Sequence, residues 1–266
     1  MMVKFKSFLK VYLQTFIYYR LQAFVWAVVD VMPLVVLIFI WQAIYQNQSL
    51  VAGLNFSQMV SYYFLLTLIF QLIYTAGGKN TISLEIYNGQ LVFFLLKPYL
   101  YLKRVLAEEI SWRSIQFLLF LPLFFLLMFL VKDNINLSLN YLSWLWFFLS
   151  LALAFFISAF LDYVCGLTAF WLVQTITLFH LKEICYWIFG GLAFPQSLLP
   201  AWLQKLNLFL PFYYVFAFPL EIITRDFYFQ EIALRFAVQF VWLMVLFLVY
   251  KYLWKKGLKA YEAWGN

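Results

Sequence analysis

The chain has 266 residues, of which 67% are hydrophobic, 24% aromatic and 11% charged. That balance makes it an integral membrane protein and leaves no room for a separate soluble domain. Its net charge of +7 comes from Lys and Arg set beside the apolar runs, where an anionic lipid surface attracts them, so the basic surplus is a topology signal and not a nucleic-acid footprint.

At the start, Phe5, Phe8, Leu9, Tyr12, Leu13 and Phe16 recur at helical spacing, with Lys4, Ser7, Lys10 and Gln14 largely elsewhere on the wheel. The pattern predicts an interfacial helix within 1–20, with an ordinary basic juxtamembrane tail as the alternative. A hydrocarbon core needs about 20 residues of apolar helix, and runs of that order fall at 24–45, 58–77, 110–131, 141–162, 166–189 and 234–253. The expected fold is therefore all-α: a polytopic membrane protein with six transmembrane helices in one domain over 1–266. Pro33 and Pro122 are expected to kink spans one and three.

The longest connector, 78–107, mixes apolar and polar residues at helical spacing through Ile82, Glu85, Ile86, Tyr87 and Asn88-Gly89. Gly77-Gly78-Lys79-Asn80 at its head lacks the Gly, four residues, Gly-Lys-Ser/Thr spacing of a phosphate-binding loop, so no ATP site is read here. The segment 190–232 holds Pro195, Pro200, Pro211 and Pro219 among many aromatic residues. Its pieces are too short to cross a bilayer singly, and their backbone polar groups cannot face lipid unpaired. Two short helices forming a re-entrant hairpin in the outer leaflet are expected.

Orientation follows from the loops. With the N-terminus inside, thirteen Lys and Arg lie on the cytoplasmic side against four outside, Lys132, Lys205, Arg225 and Arg235, which places both termini in the cytoplasm. Cys165 and Cys185 would stand about 30 Å apart at the two ends of span five, too far for a disulfide.

Catalysis has little to draw on: His180 is the sole histidine, and no set of residues resembles a metal site or a nucleophile with its base. Neither a catalytic residue, a metal nor a bound cofactor is expected. Ionisable residues inside the spans usually face the bundle interior and mark a pathway or a pairing site. Asp30 in span one is the first candidate for a translocation path, and a helix-locking hydrogen bond is the alternative. Asp162 falls at the inner junction of spans four and five. Lys182 and Glu183 are expected near the outer end of span five, reaching polar surroundings, as secondary path candidates.

Three segments resemble the six-helix permease subunits of bacterial ATP-binding-cassette type 2 exporters, in the branch of small uncharacterised permeases. Asn88-Gly89-Gln90-Leu91 through Leu95-Leu96-Lys97-Pro98 is similar to the stretch after span two. Gly190-Gly191-Leu192-Ala193-Phe194-Pro195, Leu198-Leu199-Pro200-Ala201-Trp202-Leu203 and Leu210-Pro211-Phe212 resemble the external hairpin, and Lys256 to Gly265 looks like the branch's C-terminal ending. The resemblance implies a cytoplasmic ABC ATPase partner that carries the ATP and Mg, and a second permease subunit, identical or a sister. Glu85, Ile86, Tyr87 and Gly89 would then form a coupling helix seated in the ATPase. Gly190, Gly191, Pro195, Pro200, Trp202 and Pro211 would build the external hairpin. The setting implied is the bacterial inner membrane, with membrane lipids as neighbours and export of an amphipathic, lipid-like or drug-like cargo as the activity. An assembly or scaffold subunit without transport, and a lipid-modifying membrane enzyme, are the readings of other classes.

Overall fold

The computed structural model describes residues 2–73, 81–97, 100–135, 140–225 and 227–261, without the side chains of residues 2–6, 16, 23, 27, 30 and 34. Gly77 to Asn80, Pro98, and the Glu262 to Gly265 part of the C-terminal ending therefore lie outside the described residues. Helices make up nearly all of what is described: α1 (Met2–Tyr18), α2 (Arg20–Tyr45), α3 (Phe56–Ile73), α4 (Thr81–Tyr87), α5 (Leu91–Leu95), α6 (Tyr101–Val131), α7 (Tyr141–Leu167), α8 (Ile176–Ile188), α9 (Ala201–Asn207), α10 (Ala217–Thr224) and α11 (Phe229–Ala260).

Five of these are long and apolar enough to cross a membrane: α2, α3, α6, α7 and α11, with α6 and α7 extended at their C-terminal ends by one 3-10 turn each. An unbroken helix is the form such runs must take in lipid, because it satisfies every backbone group internally. α3 is the central one. Of its apolar stretch 72% is buried within the protein, against 7% for α2 and 11% for α11, whose remaining apolar surface faces outward. Phe64 of α3 stacks on Phe124 of α6 with ring centroids 4.6 Å apart, and Tyr101 of α6 stacks on Trp254 of α11 at 5.0 Å. Pro33 and Pro122 both sit inside continuous helices.

The expected span at 166–189 is not one helix. α7 runs on to Leu167, a 3-10 turn takes Thr168–Phe170, residues 171–175 are irregular, and α8 has 13 residues. At 1.5 Å per residue α8 is about 20 Å long, short of the ~30 Å hydrocarbon thickness. At the interruption the Thr168 hydroxyl donates to the Cys165 carbonyl at 2.6 Å. A run of apolar residues gives no hint of such a bond. Cys165 and Cys185 are free thiols.

The bundle has two distinct ends. At one, α4 packs on α7 and its 3-10 turn, and the last turns of α11 close over them through Phe170 and Tyr261. At the other, the turn after α2 and the segment 190–225 gather beside the start of α3. There Tyr45 donates to the Leu54 carbonyl at 2.7 Å, and Tyr62 donates to the Gly191 carbonyl at 2.8 Å.

Candidate functional site

The sequence directs attention to three places: α4, the charged residues around α8, and the proline-rich segment. α4 buries Ile82, Ser83, Glu85 and Ile86, and turns Leu84 and Tyr87 outward. The Ser83 hydroxyl donates to the Gly166 carbonyl at 3.2 Å, fixing α4 to the end of α7. Gly89 has φ +68°, a left-handed conformation that favours glycine, and it turns the chain from α4 into α5.

Glu85 does not project from this helix toward solvent. One carboxylate oxygen accepts from Arg104 Nη2 at 2.5 Å and the other from the Tyr101 hydroxyl. Burial pushes the Glu85 carboxyl up, while Tyr101 and Arg104 pull it back down. Arg104 also meets Glu108 at 3.3 Å, donates to the Tyr12 hydroxyl on α1 and lies 4.2 Å over the Phe94 ring of α5. One guanidinium thus ties α1, α4, α5 and α6 together.

Two further pairs continue this buried lattice. Arg113 bonds Glu109 one turn away and donates to the Leu72 carbonyl at the foot of α3, and Tyr163 of α7 donates to Glu109 at 3.1 Å. Beyond them Lys182 of α8 pairs with Asp162 of α7, both nearly fully buried. Lys182, expected at the far end of span five from Asp162, instead meets it, because α8 returns beside α7 and brings the amine to the carboxylate. Glu183 points elsewhere, with one oxygen 3.5 Å from His180 Nδ1. Asp30 lies in α2, and its side chain is outside the described residues. Among the described residues, no group of three or more His, Cys, Asp and Glu could hold a metal ion.

Sequence reasoning placed Arg104 and Arg113 among the basic residues that set topology, and passed over Glu108, Glu109, Tyr101 and Tyr163. A signal was present: Arg104 with Glu108, and Glu109 with Arg113, are each four apart and so neighbours on a helix.

In the proline-rich segment two short helices form, α9 and α10, joined by turns. Pro195, Pro200 and Pro211 each lend a carbonyl to a following turn, accepting from Leu198, Leu203 and Tyr214 at 3.1, 2.9 and 3.1 Å. Trp202 is 68% exposed. Gly190 donates to the Tyr186 carbonyl at the end of α8, and Gly191, with φ +86°, leaves no room for a Cβ, which would come within 2.5 Å of the Tyr62 hydroxyl. Side chains take up the irregular backbone. Tyr63 donates to the Ala193 carbonyl, Asn207 to that of Phe189, and Gln239 to those of Ser150 and Tyr214. Removing one hydroxyl should show their worth: Tyr62→Phe strands a buried carbonyl and is expected to cost about 1–3 kcal/mol in detergent unfolding. The same change at exposed Tyr141 should cost nothing measurable.

Glu221 of α10 is the acid of this end, accepting from Tyr213 at 2.7 Å and Arg235 at 3.0 Å, with Arg225 3.4 Å away. Burial pushes its carboxyl from the ordinary 4.5 up to about 7, against the pull of Arg225. A folded-state value above the unfolded one means that the contribution to stability is complete below about 4.5 and is lost as pH rises through about 7. Unfolding followed from pH 5 to 8 should show that decline, and Glu221→Gln should flatten it.

Residues 31–265 match the family described as ABC-2 family transporter protein. The chain belongs to that family. No curated protein and no solved structure matches it. As an ABC-2 transporter family membrane protein with several membrane-length helices, it is of the permease type, which is normally without catalytic activity of its own. Membership of this family implies in general an ABC ATPase partner.

Proposed function

We propose that this ABC-2 protein is the permease subunit of an ATP-driven exporter, paired with a second permease, identical or a sister, and docked on two cytoplasmic ATPase subunits. The observation that carries the reading is α4: a short helix locked to the bundle by Glu85 and Ile82 while Leu84 and Tyr87, 55% and 49% exposed, face outward. A helix held in this way can pass a push from a docked ATPase to α6 and α7 without slack. Both termini and α4 are assigned to the cytoplasmic side of the inner membrane, and 190–225 to the outside, where it dips into the outer leaflet as a re-entrant hairpin. α8 with its preceding turn completes the sixth crossing as a broken segment. ATP and Mg reside in the partner. Asp30 is assigned to the path, and the cargo class is amphipathic, lipid-like or drug-like.

The test uses the chain in native membranes. Leu84→Asp places a charge on the exposed face of α4 and is expected to abolish co-purification of a P-loop ATPase, while leaving the permease as abundant as before. Capture unaffected by that change, or labelling of residues 81–95 from outside the cell, would overturn the docking assignment. Transport unchanged in Asp30→Asn would remove that residue from the path.

A further inference from the structure

Beside Glu221 lies a cavity of about 210 Å³, walled by the turn after α2, the start of α3, the 195–197 turn and the end of α10. It is smaller than the usual small-molecule site (about 300–1,000 Å³), yet at ~30 Å³ of liquid per water it has room for roughly seven waters. Any ligand it takes is compact.

Its chemistry centres on one carboxylate. Glu221 is 4% exposed. The bonds and ion pairs that its carboxylate makes with Tyr213, Arg235 and Arg225 all fall on Oε2. Oε1 accepts from no described residue and is not among the atoms sealed from open space, and the open space that Glu221 borders is this cavity. A donor stands on another wall: Gln58 of α3 accepts the Asn55 N–H through its Oε1, which leaves its Nε2 with no acceptor among the described residues. Leu54 and Pro195 add apolar surface.

The charges around Glu221 decide what can meet Oε1. Arg235 and Arg225, 3.0 and 3.4 Å from the other oxygen, repel a cation, and the ionised carboxylate repels an anion. A neutral O–H meets neither obstacle, and its hydrogen bond to an ionised acceptor is of the stronger kind. A free acceptor, a free donor and apolar surface around one small space match a molecule that carries several hydroxyls on a C–H framework.

We infer that this cavity is a binding site for a neutral polyol the size of one sugar ring. One hydroxyl donates to Glu221 Oε1, another accepts from Gln58 Nε2, and the C–H face of the ring lies against Leu54 and Pro195. The site requires no ATPase, so its failure would leave the exporter reading standing.

The experiment uses the purified full chain in lipid nanodiscs free of glycoside detergent, at pH 8, above the Glu221 value of about 7. Saturation-transfer NMR is run with myo-inositol and with the methyl glycosides of glucose, galactose and mannose. The primary-amine and uronic acid forms of each glycoside serve as cationic and anionic counterparts. At least one neutral probe is expected to bind with a millimolar Kd, and its charged forms about tenfold more weakly. Thr224→Phe narrows the cavity without removing an ionic group and should weaken that binding about tenfold or more. Glu221→Gln should weaken it as well, and where that variant fails to fold Thr224→Phe still decides. No binding by any neutral probe at about 50 mM, well above a millimolar Kd, would mean that the cavity holds solvent alone and overturn the site. Binding unchanged by Thr224→Phe, or charged forms bound as well as neutral ones, would overturn it too.

Discussion

Replacing Lys182 by methionine is expected to cost about 3–5 kcal/mol, because it leaves the Asp162 carboxylate buried with no countercharge. The two side chains are 5% and 8% exposed, so water cannot take the place of the amine. The pair as a whole should be worth far less than either half, since taking both charges out of water offsets most of their attraction. Asp162→Asn together with Lys182→Met should therefore recover much of what the single change loses. Denaturant unfolding in mixed micelles measures the cycle. Equal losses in single and double variants would show that the interaction is not the one the geometry indicates.

Arg104→Met is the second large effect, again about 3–5 kcal/mol by the same reasoning, but it acts on four helices instead of two. It strands Glu85, removes the partner of Glu108 and uncovers the face of Phe94. Its consequence should be local before it is global: α4 and α5 lose their tether to α6, and a protease should cut within 81–97 at concentrations that leave the parent chain intact. Arg104→Lys should rescue only in part, because an ammonium cannot present the planar fork that bonds Glu85, Glu108 and Tyr12 at once. Glu85→Gln combined with Arg104→Met should restore resistance to cleavage. If it does not, the ion pair is not what holds α4.

The membrane-length helices were legible because lipid forces a long apolar run into one form, and α2, α3, α6, α7 and α11 overlap the runs that predicted them. α9 and α10 were legible for the complementary reason: prolines spaced too closely to allow a long helix still leave room for two short ones. What failed was continuity at 166–189, and that one failure produced the other error. An unbroken span from 166 would carry Lys182 about 24 Å away from the junction that holds Asp162. The break after Leu167 lets α8 return beside α7, and the two meet. Apolar composition reports the solvent a segment prefers, not where its helix breaks. The acids of α6 were hidden differently: Glu108 and Glu109 stand between the 78–107 connector and the apolar run at 110–131. Only three-dimensional packing brings Tyr163 against Glu109 and Glu85 against Arg104.

α3 is gripped at two levels along its length. Tyr62 and Tyr63 hold the Gly191 and Ala193 carbonyls near its start, while the carbonyl of Leu72, its penultimate residue, is taken by Arg113. From Tyr62 to Leu72 the helix rises about 15 Å. A rod so fastened behaves as a strut: a displacement applied to α6 near Arg113 arrives at the far side of the bundle as a translation of the 190–193 strap, without any intermediate hinge having to bend.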